Sequence, residues 1–132
     1  LKQGTPTLDI TDCPDLAPVC FALAGVLGGA VFTGTKRLKI KESDRAEAMK
    51  QELSKLGIEV EVFENSVSVK GGKLKPPVSI IDSHNDHRIA MALSLLLSIV
   101  GGKIKNAEAV SKSYPNFYKD LNRLGVDVNE IN

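Results

Sequence analysis

Tryptophan is absent, and aromatic residues make up only 5% of the 132 residues. That scarcity argues against a stacking platform for single-stranded nucleic acid, which needs aromatic faces for the bases. An excess of one charge is missing too: 17 Lys plus Arg stand against 16 Asp plus Glu, a formal charge of +1. A basic nucleic-acid-binding tail and an acidic solvating tail are both excluded. Cysteine is confined to Cys13 and Cys20, too few for a disulfide scaffold or a zinc site. Their spacing matches no metal motif, and a reducing, cytoplasmic setting is expected. The longest apolar run, Ile89 to Val100, falls well short of the ~20 residues that span a bilayer. It is expected to form a buried helix, with no membrane partner. No secretory leader is visible. The chain opens on Leu1 rather than Met, and it is expected to be a piece of a longer protein.

What remains is an ordinary globular mixture, 42% hydrophobic and 25% charged, of a length that suits one domain of ~100–150 residues. The chain also repeats itself. Glu52-Leu-Ser-Lys-Leu-Gly-Ile-Glu-Val60 and Asp120-Leu-Asn-Arg-Leu-Gly-Val-Asp-Val128 match position by position at an offset of 68. Ala46, Met49, Leu53 and Leu56 form a helical stripe, and Tyr114, Phe117, Leu121 and Leu124 stand at the same offset. Upstream, Leu16 to Leu27 and His87 to Val100 each read as a helix that ends at Gly-Gly and leads into a strand. Asp12 and Asp86 are the expected caps. Pro14 and Pro18 predict an irregular start to the earlier helix. Opening strands are expected at Thr7–Ile10 and Val78–Ile81, and a hairpin is expected to turn at Glu64-Asn65. Helices are expected over Arg45–Leu56 and Ser113–Leu124. The prediction is therefore an α/β chain of pseudo-repeated βαβαββ units, about 5–74 and 76–132, with helices packed on sheets.

Several charged residues fall at expected helix starts. Lys36 to Arg45 is densely charged; read conservatively, it is a strand edge followed by a helix capped by Asp44, with Glu47 closing a capping box. Read functionally, Lys41 and Arg45 form an anion site beside free helix N–H groups, and Glu42 is a carboxylate held among cations, suited to proton transfer. In Asp82-Ser-His-Asn-Asp-His-Arg88, Asp86 is expected to cap and His84 to be a solvated loop residue. Arg88 is a cation in a helix's first turn, unfavourable against the dipole unless an anion is present. No zinc-ligand spacing is complete among these residues. Lys112 precedes Pro115, a helix-start signal. Asp15 reads either as a capping residue or as an acceptor for a substrate hydroxyl. Equivalent ends of repeated units cluster on one face, which here suits a small polyanion carrying phosphate and carboxylate.

These strings resemble a known family. Cys13-Pro-Asp15, Lys41-Glu-Ser-Asp-Arg45, Asn85-Asp-His-Arg-Ile-Ala-Met91 and Lys112-Ser-Tyr-Pro115 are similar, in order and spacing, to the C-terminal part of the 5-enolpyruvylshikimate-3-phosphate synthase (3-phosphoshikimate 1-carboxyvinyltransferase) family. The resemblance covers nearly the whole chain. It implies an enolpyruvyl transferase-like fold, with the active site between two domains, of which the N-terminal one is missing here. It implies a shikimate-pathway transferase using phosphoenolpyruvate and shikimate 3-phosphate, with no metal or organic cofactor. It assigns Asp15 to the shikimate hydroxyls as a candidate base, and Glu42 to the proton at C3 of phosphoenolpyruvate, with Lys112 competing or cooperating. It assigns Arg45, Arg88 and Lys112 to phosphoenolpyruvate, Lys41 to the shikimate side, and Asp86 and His87 to orienting the network. Arg37 stands where many members carry an asparagine. Two alternatives stay open: an enolpyruvyl transferase with another acceptor, and a non-enzymatic anion-binding or interaction module.

Overall fold

Alternating valines and serines at Ser66–Lys70 and the apolar Gly29–Thr33 build the centre of the main sheet, in the computed structural model of the chain, which describes residues 5–41 and 43–131. The candidate catalytic Glu42 lies outside the described residues. The first half runs β1 (Thr7–Asp9), α1 (Ala17–Leu27), β2 (Gly29–Thr33), α2 (Arg45–Lys55), β3 (Val60–Val62) and β4 (Ser66–Lys70). The sheet order is β1-β2-β4-β3. β1 runs parallel to β2, and β4 is antiparallel to β2 and β3. The hairpin forms as expected, with Val62 opposite Val67. Val67 and Val69 point inward while Ser66 and Ser68, which alternate with them, are half-buried, the period-2 pattern of a one-sided strand. Phe21 of α1 meets Phe32 of β2 edge-on, centroids 5.0 Å apart, a favoured aromatic geometry. Gly28 ends α1 in the left-handed conformation at φ 109°, which glycine adopts without steric penalty. Gly71 crosses there so closely that a Cβ would lie 2.2 Å from the Gly28 carbonyl carbon.

The second half runs β5 (Ile81–Asp82), α3 (His87–Val100), β6 (Ile104–Lys105) and α4 (Phe117–Arg123). β5 and β6 pair in parallel as a second, two-stranded sheet. α3 joins the halves. Ile89 and Leu93 are fully buried in the same core as Phe21 and Leu53, while Ala90 belongs to a smaller cluster with Val110, Phe117 and Leu121.

Local details depart from the sequence expectations. Asp12 caps nothing: a 3-10 turn, Pro14–Leu16, leads into α1, and neither start has a side-chain cap. Pro18 lies in the first turn, so the irregular start is as expected. Lys36–Ile40 is a 3-10 helix and not a strand edge. Its buried anchor, Leu38, is flanked by exposed charges, a pattern with no strand alternation. Strand β5 starts only at Ile81, because Pro76 and Pro77 offer no donors and the Val78 N–H donates to Lys55 O at 3.2 Å, capping α2 instead. α4 begins at Phe117, after a 3-10 helix (Ala107–Lys112) closed by Ser113 and Tyr114 N–H groups donating to Val110 O. The matched stripe therefore survives only in its middle: Phe117 and Leu121 are buried, but Tyr114 and Leu124 are exposed. Gly101 is not left-handed (φ 82°, ψ 160°).

Candidate functional site

The site is built where the two capped helices start. Asp44 caps α2 by accepting from the Glu47 N–H, and Asp86 caps α3 by accepting from Arg88 and Ile89 N–H groups. Each cap fixes the residue beside it. Arg45, the first residue of α2, is only 1% exposed. Its Nε and Nη2 donate to Asp86 Oδ2 and Oδ1 at 2.9 and 3.3 Å, and its Nη1 donates to Asp15 Oδ1 at 2.8 Å. Ser43 Oγ donates to Asp86 Oδ2 at 2.9 Å. A two-pronged arginine–carboxylate pair with a third bond fixes geometry as well as charge. Asp15, in the 3-10 turn before α1, is half exposed and lies 3.5 Å from Lys41 Nζ and 3.9 Å from Arg88 Nη2. The structure thus brings together Asp15, Lys41, Arg45, Asp86 and Arg88 from four separate segments. Beside them opens a cleft of about 220 Å³, with Asp15 and Arg88 on one wall and Leu16, Val19, Met91 and Leu95 among its apolar walls.

The charges of this cluster are mutually set. Hydrogen bonding from Arg45 is the main influence lowering Asp15's carboxyl below the ordinary aspartate range; burial opposes it slightly, and Lys41, Arg45 and Arg88 add attraction. For Asp86 burial acts most strongly and opposes ionisation, but bonds from Arg45, Ser43 and the Arg88 N–H together outweigh it, so its carboxyl also lies below the ordinary range. Both carboxylates are therefore ionised at neutral pH. A lowered folded value makes the cluster's stabilisation fully present above the unfolded aspartate value of 3.8 and lost as pH falls through the folded value. Acid unfolding followed by circular dichroism is expected to show a stability loss below about pH 4 that Asp86→Asn flattens. An acid limb of equal steepness in the variant would contradict it.

Lys112 and His87 lie on the rim. Lys112 ends the 3-10 helix before α4, so it is not at an α-helix N-terminus; its Nζ donates to Asn85 O at 2.5 Å. His87 Nδ1 lies 2.5 Å from Ser113 Oγ. Arg37 is exposed on the Lys36–Ile40 turn. His84 is not a solvated loop residue: its Nε2 is bonded to the buried Glu52 carboxylate at 2.7 Å. Sequence reasoning passed over Ser43 and Glu52. For Glu52 a signal existed, since Arg45, Met49 and Glu52 fall at i, i+4 and i+7, which places the carboxylate on the buried stripe. Among the described residues no group of three or more His, Cys, Asp or Glu is placed to hold a metal ion, and no helix is long and apolar enough to cross a membrane.

Comparison with known proteins is consistent across sequence and structure. The family model for EPSP synthase (3-phosphoshikimate 1-carboxyvinyltransferase) matches residues 2–130. A 3-phosphoshikimate 1-carboxyvinyltransferase of Clostridium novyi is 42% identical over 128 residues, 94% of this chain and 29% of that protein. One of Saccharolobus islandicus is 41% identical over 129 residues, 96% of this chain and 31% of that protein. The solved EPSP synthase from Acinetobacter baumannii superposes with a TM-score of 0.76 at 34% identity, covering 86% of this chain and 27% of that one. The chain thus spans about 30% of the length of the relatives it matches.

Proposed function

The chain belongs to the EPSP synthase (3-phosphoshikimate 1-carboxyvinyltransferase) family, and from that premise we propose that it supplies part of the active site of a parent enzyme that transfers the enolpyruvyl group of phosphoenolpyruvate to the 5-hydroxyl of shikimate 3-phosphate and releases phosphate. The observation that carries this reading is the Asp86–Arg45–Asp15 bridge with Lys41 and Arg88 around its exposed end. It is a rigid, prepaid arrangement of charge, the form in which electrostatic stabilisation acts most strongly.

In the proposed reaction the 5-hydroxyl adds to C2 of phosphoenolpyruvate while C3 gains a proton; the C3 proton then leaves with phosphate. Asp15, held ionised by Arg45, accepts the acceptor hydroxyl and is the candidate base. Arg88 and Lys112 present charge to phosphoenolpyruvate and Lys41 presents it to the shikimate side. Arg45, buried in its pair of carboxylates, adds its charge from behind. Asp86 and His87 orient the set. Glu42 is the candidate for the C3 proton, with Lys112 competing or cooperating. Residues 5–74 and 76–132 are proposed as two copies of one structural unit, in a protein of the cytoplasm, where the free thiols of Cys13 and Cys20 remain reduced. Exposed Leu23 on α1, Leu95 and Ile99 on α3, and Leu16 in the 3-10 turn before α1 support packing against the rest of the parent chain.

Arg88 gives the test. Its side chain is 38% exposed, so it can meet a ligand without unfolding the site. Arg88→Ala in the full-length protein is expected to weaken phosphoenolpyruvate binding by about 1.5–3 kcal/mol, the worth of a charge-assisted contact, with little change in thermal midpoint. Calorimetry that finds unchanged affinity would remove Arg88 from the site.

A further inference from the structure

Glu52 lies on the same stripe of α2 as Arg45, about two turns further along, and is 1% exposed. An ionised carboxylate tolerates such burial only when its oxygens are paired. Here Oε1 accepts from Lys55 Nζ at 2.8 Å and from the Asp82 N–H at 2.9 Å, and Oε2 is 2.7 Å from His84 Nε2. Apart from Lys55, these partners belong to the end of β5 and the connection that follows it to α3. That connection is tightly tied. Asp82 Oδ1 accepts from the His84 N–H and from Asn106 Nδ2, and Ser83 Oγ donates to Asn106 O and accepts from the Asn85 N–H. His84 and Asn85 both take left-handed backbone, at φ 56° and 55°, which non-glycine residues keep only where their surroundings fix it. The same connection presents Asn85 O to Lys112 Nζ and Asp86 to Arg45. One helix therefore grips both ends of it, through Arg45 at Asp86 and through Glu52 at Asp82 and His84.

We propose that Glu52 and His84 form a positioning pair for the site, holding the 82–85 connection in the shape that aims Lys112 and Asp86. Only its consequence for phosphoenolpyruvate rests on the functional reading above.

The test uses Glu52→Gln and His84→Asn in the full-length protein. Asparagine keeps the preference for left-handed backbone but is too short to reach Glu52, so the second variant isolates the contact and spares buried Glu52 and its bond to Lys55. The N–H groups of residues 83 to 86 are all hydrogen-bonded within this network, and their hydrogen exchange reads the connection directly. Both variants are expected to lose protection there while the amides of β2 and β4 keep theirs. The KM for phosphoenolpyruvate is expected to rise roughly five- to thirty-fold, the usual reach of a residue that acts without touching ligand, with kcat little changed. Unchanged exchange in both variants overturns the proposal. Lost protection with unchanged KM overturns the positioning role. An unaltered protein that does not use phosphoenolpyruvate would sink the functional reading alone, since exchange still decides whether the pair holds the connection.

Discussion

The isolated 132-residue chain is expected to turn over phosphoenolpyruvate and shikimate 3-phosphate at no measurable rate, in conditions where the full-length protein is active. The chain accounts for about 30% of its relatives' length, and the cluster around Asp15 is open: Asp15 is 51% exposed, Arg88 38% and Lys41 30%. Opposite walls are needed to orient two anions against each other and to exclude water. Orientation alone is worth ~7–11 kcal/mol of a barrier, and exposed cations attract weakly in high dielectric. Phosphate release assayed on the purified chain is the check. Turnover near the full-length rate would mean that the reacting groups all lie within these residues.

Replacing Glu42 by glutamine is expected to lower the full-length enzyme's kcat by roughly 10²–10⁴, the usual worth of general acid–base catalysis, with both substrates still bound because size and shape are kept. The sequence places Glu42 between Lys41 and Ser43, next to the segment that carries Arg45. Exchange of the C3 protons of phosphoenolpyruvate with solvent deuterium is expected to slow in parallel with turnover. Slower turnover with unaltered exchange would make Glu42 a positioning residue and pass the proton step to Lys112.

Features set by neighbouring residues were legible in the sequence. Asp44 and Asp86 cap α2 and α3 because a short acidic side chain before a helical stripe has few other uses. The Glu64-Asn65 hairpin and the helix over Ile89–Val100 follow from period and turn chemistry, although that helix buries only one face and leaves Leu95 and Ile99 exposed. Lys36–Ile40 was misread because its single inward residue, Leu38, carries no period. The same limit applies to charge. Arg45 read as a ligand-facing cation; its place on the stripe with Met49 pointed inward, but its carboxylate partners, 30 and 41 positions away, could not be foreseen. Glu52 and His84, 32 positions apart, were missed for the same reason. The family strings marked where chemistry gathers; only the fold brings Asp15 of the first half against Arg88 of the second.

The most direct measurement is a product analysis on the full-length protein that contains this chain. Phosphoenolpyruvate and shikimate 3-phosphate would be mixed with catalytic enzyme and followed by phosphorus and carbon NMR. The expected result is one inorganic phosphate released per enolpyruvyl ether formed on the 5-oxygen, with neither product when either substrate is left out. Phosphate release with no ether at that oxygen, or no consumption of either substrate by folded protein, would contradict the account.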